Sequence, residues 1–205
     1  MNFSEAYWVR NEWGTEQISL EDARELPRFP VIGILDHLRS AHNVGSIFRT
    51  CDGARLQQLI LCGFTPTPPH RHLEKTALRA VESVPWSHAE NTENVIDELK
   101  NRGVQVLALE YTSESTLLYD FDLQFPIALV AGNEAEGLDA AVLARCDAVV
   151  HLPMHGLKSS LNVSVAFGVA AYEVVRRFCH TRTLKETAGE TSEEKRNEQR
   201  SDGGN

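Results

Sequence analysis

Uninterrupted apolar runs alternate along this chain with segments of helical spacing, and this alternation limits the folds that the chain can adopt. Residues 29–35, FPVIGIL, and residues 126–131, PIALVA, are continuously apolar, which is typical of strands buried on both faces of a parallel sheet. Further strands are predicted at 59–62, 104–109 and 149–152. Segments with helical spacing separate the strands, so the pattern predicts an α/β domain with a parallel sheet flanked by helices.

The chain is long enough for one domain, and its composition argues against several classes of protein. We expect residues 29–180 to form the domain, residues 1–28 to be a short polar extension and residues 181–205 to be a polar, disordered tail. No apolar run of about 20 residues indicates a membrane span, and the N-terminus lacks the pattern of a signal peptide. The four cysteines form no CxxC pair, so we expect a cytoplasmic protein without structural zinc.

Three predicted strands end in polar loops, after Leu109, Ala131 and Leu152. In a parallel sheet, ligands bind outside the carboxyl ends of the strands, so the three loops are expected to form one site. The third loop places Pro153 between His151 and His155. A proline there excludes helical spacing of the two imidazoles, and no metal site is predicted.

A long apolar helix is predicted after the third loop, over about residues 160–179, with Ser159 and Ser160 as its caps. Asn162 and Ser164 would then lie one turn inside it, among apolar side chains, where an unpaired polar group costs free energy. Their partner is either the backbone or a ligand, since the N–H groups at a helix start can hold an oxygen-bearing ligand. An ordinary strand-to-helix connection would have the same spacing.

The helix predicted after the first strand has two faces. Asn43 is its predicted N-cap, and Gly45 is expected to leave open space beside the guanidinium of Arg49, one turn further on. The core face consists of Val44, Ile47, Phe48 and Cys51. In the alternative interpretation, Asn43 is only a cap and Arg49 only pairs with Asp52 at the surface.

The net charge of −9 argues against a surface made for non-specific binding to nucleic acid, but not against a local basic patch. Residues 63–79 form the most basic window before the tail and are the best candidate for phosphate contact, although a solvated loop is the simpler explanation. The chain contains no GxGxxG, no GxxxxGK[ST] and no GxSxG motif, so a dinucleotide site, a P-loop and a hydrolase nucleophile are not supported.

Three sequence blocks together resemble the SPOUT superfamily of methyltransferases, and within it the TrmH-type (SpoU) RNA ribose 2′-O-methyltransferases. The blocks are NVGSIFRTCDGA at 43–54, LVAGNEAEGL at 129–138 and LPMHGLKSSLNVSVAFGVAAYE at 152–173. The resemblance implies a C-terminal trefoil knot, a homodimer with its sites at the interface, and S-adenosylmethionine as the cofactor. RNA, either tRNA or rRNA, would be the substrate.

The resemblance also implies roles for particular residues. The functional polar positions of the family fall on Asn43, Arg49, Glu134, Ser160 and Asn162. The cofactor pocket would be formed by Leu109, Gly132, Leu152, Met154, Gly156 and Leu161. Many relatives have an added RNA-binding domain, and only about 28 residues precede the first strand here. Positive charge for RNA is therefore expected from a set of cations summed across the dimer: Arg39, Arg49, Arg55, Arg71, Lys75, Arg79 and Lys158.

The chemistry leaves two roles open for Arg49. It resembles the residue that assists loss of the ribose proton, yet a guanidinium with a pKa above ~12 is a poor base. Arg49 would either act as a base with help from a substrate phosphate or clamp that phosphate. Two other functions remain: a non-catalytic RNA-binding or assembly factor, and a methyltransferase that acts on a base. Neither the RNA nor the nucleotide is specified by the sequence.

Overall fold

A single parallel sheet of seven strands forms the centre of the protein. This computed structural model describes residues 19–181, so most of the predicted N-terminal extension and nearly all of the predicted tail lie outside the described residues. The strands are β1 (Phe29–Asp36), β2 (Leu56–Cys62), β3 (Trp86–Ala89), β4 (Gln105–Leu109), β5 (Thr116–Leu117), β6 (Ile127–Ala131) and β7 (Ala148–His151). Their order across the sheet is β3-β2-β1-β6-β4-β7-β5, and all of the pairings are parallel.

Helices cover both faces of the sheet. They are α1 (Leu20–Glu25), α2 (Ala41–Gly53), α3 (Arg71–Ala77), α4 (Ala80–Ser83), α5 (Thr92–Asn101), α6 (Ala140–Leu143) and α7 (residues 163–181). Side chains alternate along β1 between two apolar clusters: Val31 and Leu35 pack with α2, α3 and α7, whereas Ile32 and Ile34 pack with α5 and α6. This arrangement confirms the predicted α/β class and explains why the strand sequences are continuously apolar.

Several elements differ from the predictions. Strand β2 begins at Leu56, where it pairs with Phe29 of β1, and not at residue 59 as predicted. The polar Gln58 made this extension hard to predict, and its amide donates to the hydroxyl of Ser87 at 3.0 Å. The basic window is not a continuous loop, since α3 occupies most of its second half. A helix is predicted from the sequence over residues 138–145, but α6 spans only Ala140–Leu143, and the two-residue strand β5 was not predicted.

The trefoil knot implied by the resemblance stays a prediction, because the description of the C-terminal segment ends at residue 181. Within residues 19–181, no helix combines the length and the apolar character needed to cross a membrane.

Candidate active site

The loops that follow β4, β6 and β7 meet at one edge of the sheet, as predicted, because these three strands are neighbours. Together with the start of the α7 segment they line a cavity of about 660 Å³. Its lining includes five of the six predicted cofactor residues: Leu109, Gly132, Leu152, Met154 and Leu161. The sixth, Gly156, is exposed with open space around it and does not line the cavity, so its contact with a cofactor stays a prediction.

The loop after β6 is held in a compact turn. Asn133 and Gly137 exchange two main-chain hydrogen bonds of 2.9 and 3.2 Å, and Gly137 has a φ of +73°. The Oδ1 of Asn133 accepts from the N–H groups of Ala135 and Glu136. A Cβ at Gly132 would lie 2.7 Å from the carbonyl carbon of Gly137, so only glycine permits this close approach. The turn therefore gives one side of the cavity a compact wall that is fixed by main-chain contacts.

Glu110, which was not predicted as a site residue, joins the loops that follow β4 and β6. The carboxylate of Glu110 accepts from the N–H of Tyr111 at 3.0 Å and from the N–H of Leu138 at 3.3 Å. Beside it, the rings of Tyr111 and His151 meet edge to face at 5.2 Å, and the hydroxyl of Ser115 lies 2.9 Å from Nδ1 of His151. Only the position of Glu110 directly after a predicted strand could have indicated this role.

Helix α2 is capped by Ser40 and not by Asn43, which corrects the prediction. The hydroxyl of Ser40 accepts the N–H of Asn43 at 3.3 Å, so Asn43 lies in the first turn. Its side chain is thereby free to donate to Oε1 of Glu134 at 2.9 Å. The same carboxylate accepts the N–H groups of Arg39 at 2.8 Å and Ser40 at 3.0 Å. Glu134 thus connects the loop after β6 to the start of α2.

Asn162 caps helix α7, which begins at residue 163, so the predicted capping by Ser159 and Ser160 is wrong. The Oδ1 of Asn162 accepts from the N–H of Ser164 at 3.0 Å and from its hydroxyl at 2.7 Å. The reason is geometric: the N–H groups of Val165 and Ala166 bond to the carbonyl of Asn162, so the helix can begin only after it. Ser160 instead lines the cavity and is exposed.

A continuous chain of hydrogen bonds joins the three polar blocks. Nδ2 of Asn162 donates to Oδ1 of Asn43 at 3.2 Å, and Asn43 donates in turn to Glu134. We call these three residues, Glu134, Asn43 and Asn162, the polar trio. All of the donations point toward the carboxylate, and such aligned bonds strengthen one another. The polar side chain at the α7 start thus has partners in the protein and remains exposed to a ligand.

The hydrogen bonds shift the titration of Glu134. Its partial burial opposes ionisation, but the N–H groups of Arg39 and Ser40, the amide of Asn43 and its own N–H outweigh that effect, so the pKa of Glu134 falls below its ordinary value. A carboxylate is therefore the form that holds α2 and the loop together at neutral pH.

This shift predicts a pH-dependent effect of Glu134→Gln. A lowered folded-state pKa stabilises the protein above the ordinary carboxyl pKa, and this contribution disappears as the pH falls through the folded-state value. At any pH from 7 down to about 5, the variant should therefore be about 1 kcal/mol less stable to unfolding than the unaltered protein. The difference is small because water screens this exposed group, and it should shrink further below about pH 4. Urea unfolding across this range measures it.

Glu136→Gln is the matched control, because the Glu136 side chain lies in the same loop and hydrogen-bonds to no other described residue. Equal losses in both variants at every pH would contradict the assignment.

Arg49 is exposed on α2, and its guanidinium forms no hydrogen bond or ion pair with the rest of residues 19–181. The alternative surface pair with Asp52 is absent from the described structure, since that carboxylate accepts the hydroxyl of Ser83. The predicted open space at Gly45 is also wrong: Gly45 is buried against α3, where a Cβ would overlap Thr76 and the carbonyl oxygen of Leu73. The sequence could not show this contact because α3 was not predicted.

The prediction of an RNA contact is wrong for Arg55, which is buried and donates to main-chain carbonyls of residues 23–27. Besides Arg49, the other five predicted cations are exposed, and one of these five is already paired. Arg79 forms a two-bond ion pair with Glu82, with both distances 2.9 Å. The other four residues are Arg39, Arg71, Lys75 and Lys158. No ion pair occupies any of these four within the described part of the chain. In the same part, no group of three or more histidine, cysteine or acidic residues is arranged to hold a metal ion.

The fold and this site define a class of protein that comparison with known families identifies. The SpoU rRNA Methylase family matches residues 30–172, which is well over half of the chain, and the chain therefore belongs to this family. This membership confirms the resemblance to TrmH-type (SpoU) proteins.

Individual relatives show how far the similarity extends. The chain is 36% identical over 148 residues to the 23S rRNA (guanosine-2′-O-)-methyltransferase RlmB of Ralstonia nicotianae, which covers 72% of this chain and 59% of that protein. The chain thus spans about three fifths of the length of these curated relatives. The TrmH/SpoU tRNA modifying enzyme of A. aeolicus is 29% identical, with a TM-score of 0.71 over 79% of this chain and 83% of that one.

A third comparison is with a ligand complex. The AdoMet-bound rRNA methyltransferase from Sinorhizobium meliloti is 30% identical to this chain, with a TM-score of 0.68. The aligned region covers 79% of this chain and 62% of that one.

Proposed function

We propose that this protein transfers a methyl group from S-adenosylmethionine to a ribose 2′-hydroxyl of RNA. The main supporting observation is the polar trio: one hydrogen-bonded chain joins the three family blocks beside the cavity at the carboxyl edge of the sheet. Chance placement of three sequence-distant polar residues would not produce such a chain. Family membership supports the same activity.

The cavity suits the cofactor in size and in chemistry. A volume of about 660 Å³ lies within the range of small-molecule sites. Leu109, Leu152 and Leu161 offer apolar surface for a purine ring, while the turn after β6 offers main-chain polar groups at a fixed position. The bound cofactor supplies an electrophilic methyl group on a sulfonium. The rRNA methyltransferase from S. meliloti, whose structure is similar, contains AdoMet.

The polar trio and Arg49 would position the RNA. Methyl transfer needs the ribose oxygen in line with the methyl group, so fixing its position supplies much of the rate. The trio faces solvent at the start of two helices, where Asn43 and Asn162 can orient the ribose. The exposure of Arg49 favours a role as a phosphate clamp, because a guanidinium is a very poor base in water. In the alternative role, Arg49 would accept the proton of the 2′-hydroxyl with help from a substrate phosphate.

The substrate is proposed to be tRNA or rRNA. The names of similar proteins include both a 23S rRNA methyltransferase and a tRNA modifying enzyme. Exposed cations on α3 and in the loops before α2 and α7 could contact phosphates. We further propose that the protein works in the cytoplasm, where such RNA is found. Burial raises the pKa of the Cys62 thiol to about 11, which suits a structural cysteine in a reducing compartment.

A homodimer is proposed on the evidence of helix α7. Its inner face is buried in the core through Phe167, Ala170 and Val174, whereas an outer stripe stays exposed. The stripe consists of Val165, Val169 and Tyr172, each at least 40% exposed. Leu161, which also lines the cavity, is equally exposed just before the helix. A second copy of the chain would cover this surface and bring the two sites near the interface.

We predict that Val169→Asp converts the dimer to a monomer, since a charge in the centre of an apolar interface is costly to bury. Multi-angle light scattering measures the mass of each form. Leu78→Asp is the control, because Leu78 is 64% exposed outside the stripe and should not affect assembly. Dimers of equal stability in both variants would contradict the assignment of the interface.

The function is tested by transfer of labelled methyl groups from S-adenosylmethionine to separated tRNA and rRNA fractions. The RNA comes from a strain that lacks the protein, so the target is unmodified. Transfer that makes the adjacent phosphodiester resistant to alkali would support ribose methylation. An alkali-sensitive product would indicate base methylation, and cofactor binding without transfer to any RNA would contradict the proposed activity.

A further inference from the structure

An aromatic pair lies at the same edge of the sheet as the cavity. His37 directly follows β1, and Phe64 lies two residues after β2. Their rings meet edge to face with centroids 4.8 Å apart and an interplanar angle of 66°. Phe64 remains 61% exposed. We call these two residues the aromatic platform. A ring this exposed contributes little to the core, so core packing does not explain its position.

The position of His37 is fixed by its surroundings. Its Nδ1 lies 2.8 Å from a carboxylate oxygen of Asp36, a side chain that is only 5% exposed and that also accepts the hydroxyl of Thr92. On another side, a Cβ at Gly63 would overlap the imidazole, so only glycine leaves room for it. The backbone of His37 has a φ of 52°, which is uncommon for residues other than glycine. The His37 half of the platform is therefore held in place before any ligand arrives.

The aromatic platform and the polar trio belong to one continuous surface. Strand β1 lies between β2 and β6, and the last pairs are Asp36 with Cys62 and Leu35 with Ala131. The ends of β2 and β6 are thus two strand spacings, about 10 Å, apart. The carbonyl of His37 accepts Nδ2 of Asn133 at 2.8 Å. Along the chain, the exposed Arg39 lies between His37 of the platform and Asn43 of the trio, and its main-chain N–H donates to Glu134.

We propose that the aromatic platform stacks an unpaired base of the RNA, at a nucleotide close to the one whose ribose is methylated. This inference rests on the proposed function in taking RNA as the partner. Proteins bind unstacked bases of single-stranded RNA by stacking them on phenylalanine and histidine rings. An arginine nearby can hold the phosphate that connects two such nucleotides. The occupant would be single-stranded, because bases within a duplex do not expose their faces.

The test compares binding of a short labelled single-stranded RNA with binding of the same RNA annealed to its complement, by fluorescence anisotropy. Phe64→Ala and Phe64→Leu are both expected to weaken single-strand binding about tenfold, and Phe64→Tyr should remain close to the unaltered protein. Duplex binding should not change in any of the three. Because Phe64 is exposed, the unfolding temperature of each variant should stay near that of the unaltered protein. Tyr119→Leu is the matched control, since Tyr119 is exposed just after β5, which is the outermost strand on the side of the sheet away from β1 and β2.

Two results would overturn the platform. If Phe64→Leu binds single-stranded RNA as tightly as the unaltered protein does, an apolar side chain is sufficient there and no base stacks on the ring. If the Phe64 variants lose equal affinity for single strand and duplex, the site has no preference for unpaired bases. Methyl transfer by the unaltered protein is measured separately. Transfer without any effect of Phe64 would overturn only the platform, and an effect of Phe64 on single-strand binding without transfer would overturn only the proposed activity.

Discussion

Arg49→Ala is expected to lower methyl transfer to RNA by at least about 100-fold without unfolding the protein. Arg49 is exposed in the middle of α2, so its removal leaves no cavity and no unpaired buried group. Side chains on a helix lean toward its N-terminus, so the long guanidinium extends from Arg49 toward the end of α2 that begins at Ala41. Initial rates with the tRNA or rRNA fraction that accepts methyl groups, together with cofactor affinity by calorimetry, separate a loss of catalysis from a loss of cofactor binding.

Two further variants define the role of Arg49. Arg49→Lys retains the charge but loses the two parallel donors, so a clamp predicts an intermediate rate and an unchanged pH profile, whereas a base predicts a shifted profile. Arg102→Ala removes an exposed arginine from the end of α5, paired only weakly with Glu98 at 3.7 Å, and should not alter transfer. Equal rates for Arg49→Ala and Arg102→Ala would show that transfer does not need Arg49 and would contradict both of its proposed roles.

Gly45→Ala is expected to destabilise the fold by about 3 kcal/mol, which for a domain of this size lowers the unfolding temperature by roughly 6–12 °C. The added methyl would overlap the hydroxyl of Thr76 and the carbonyl oxygen of Leu73. The hydroxyl can rotate, but the carbonyl belongs to the backbone of α3, so the two helices must separate. Thr76 also donates to the carbonyl of His42 at 3.2 Å, and that contact would be strained.

Gly168→Ala is the matched control for this stability measurement, because Gly168 also lies in a helix, with Thr50 at an ordinary 3.6 Å from the added Cβ. Alanine favours helix over glycine, so this variant should gain up to about 1 kcal/mol. Thermal and urea unfolding of both variants decide the point. A Gly45→Ala protein as stable as Gly168→Ala would show that α2 and α3 do not pack as described.

The strands and the position of the site were predictable, whereas the contacts within the site were not. The continuous apolar runs of β1 and β6 gave their location, and the shared edge of a parallel sheet gave the convergence of the loops. The family blocks identified the three members of the polar trio. Their bonding could not be inferred, because the choice of Ser40 over Asn43 as the α2 cap depends on Glu134, which is distant in sequence.

Features that arise from tertiary contact were also missed. The buried position of Gly45 depends on α3, a helix that was not predicted because a Pro-rich segment typical of a loop precedes it. Glu110 and Phe64 follow strands in segments that otherwise resemble ordinary loops, and their partners come from other elements. In each case local preference was weaker than an interaction with a residue far along the chain.

The sequence separation within the polar trio has a consequence for how this protein folds. Asn43 lies 91 positions from Glu134 and 119 positions from Asn162. Contacts that close such long loops form only after the intervening chain has been organised, and chains rich in them fold slowly. The trio therefore assembles only when β1, β6 and the α7 start have all reached their places. During refolding, activity should therefore recover later than secondary structure. The rate at which activity returns would then measure how fast the trio assembles.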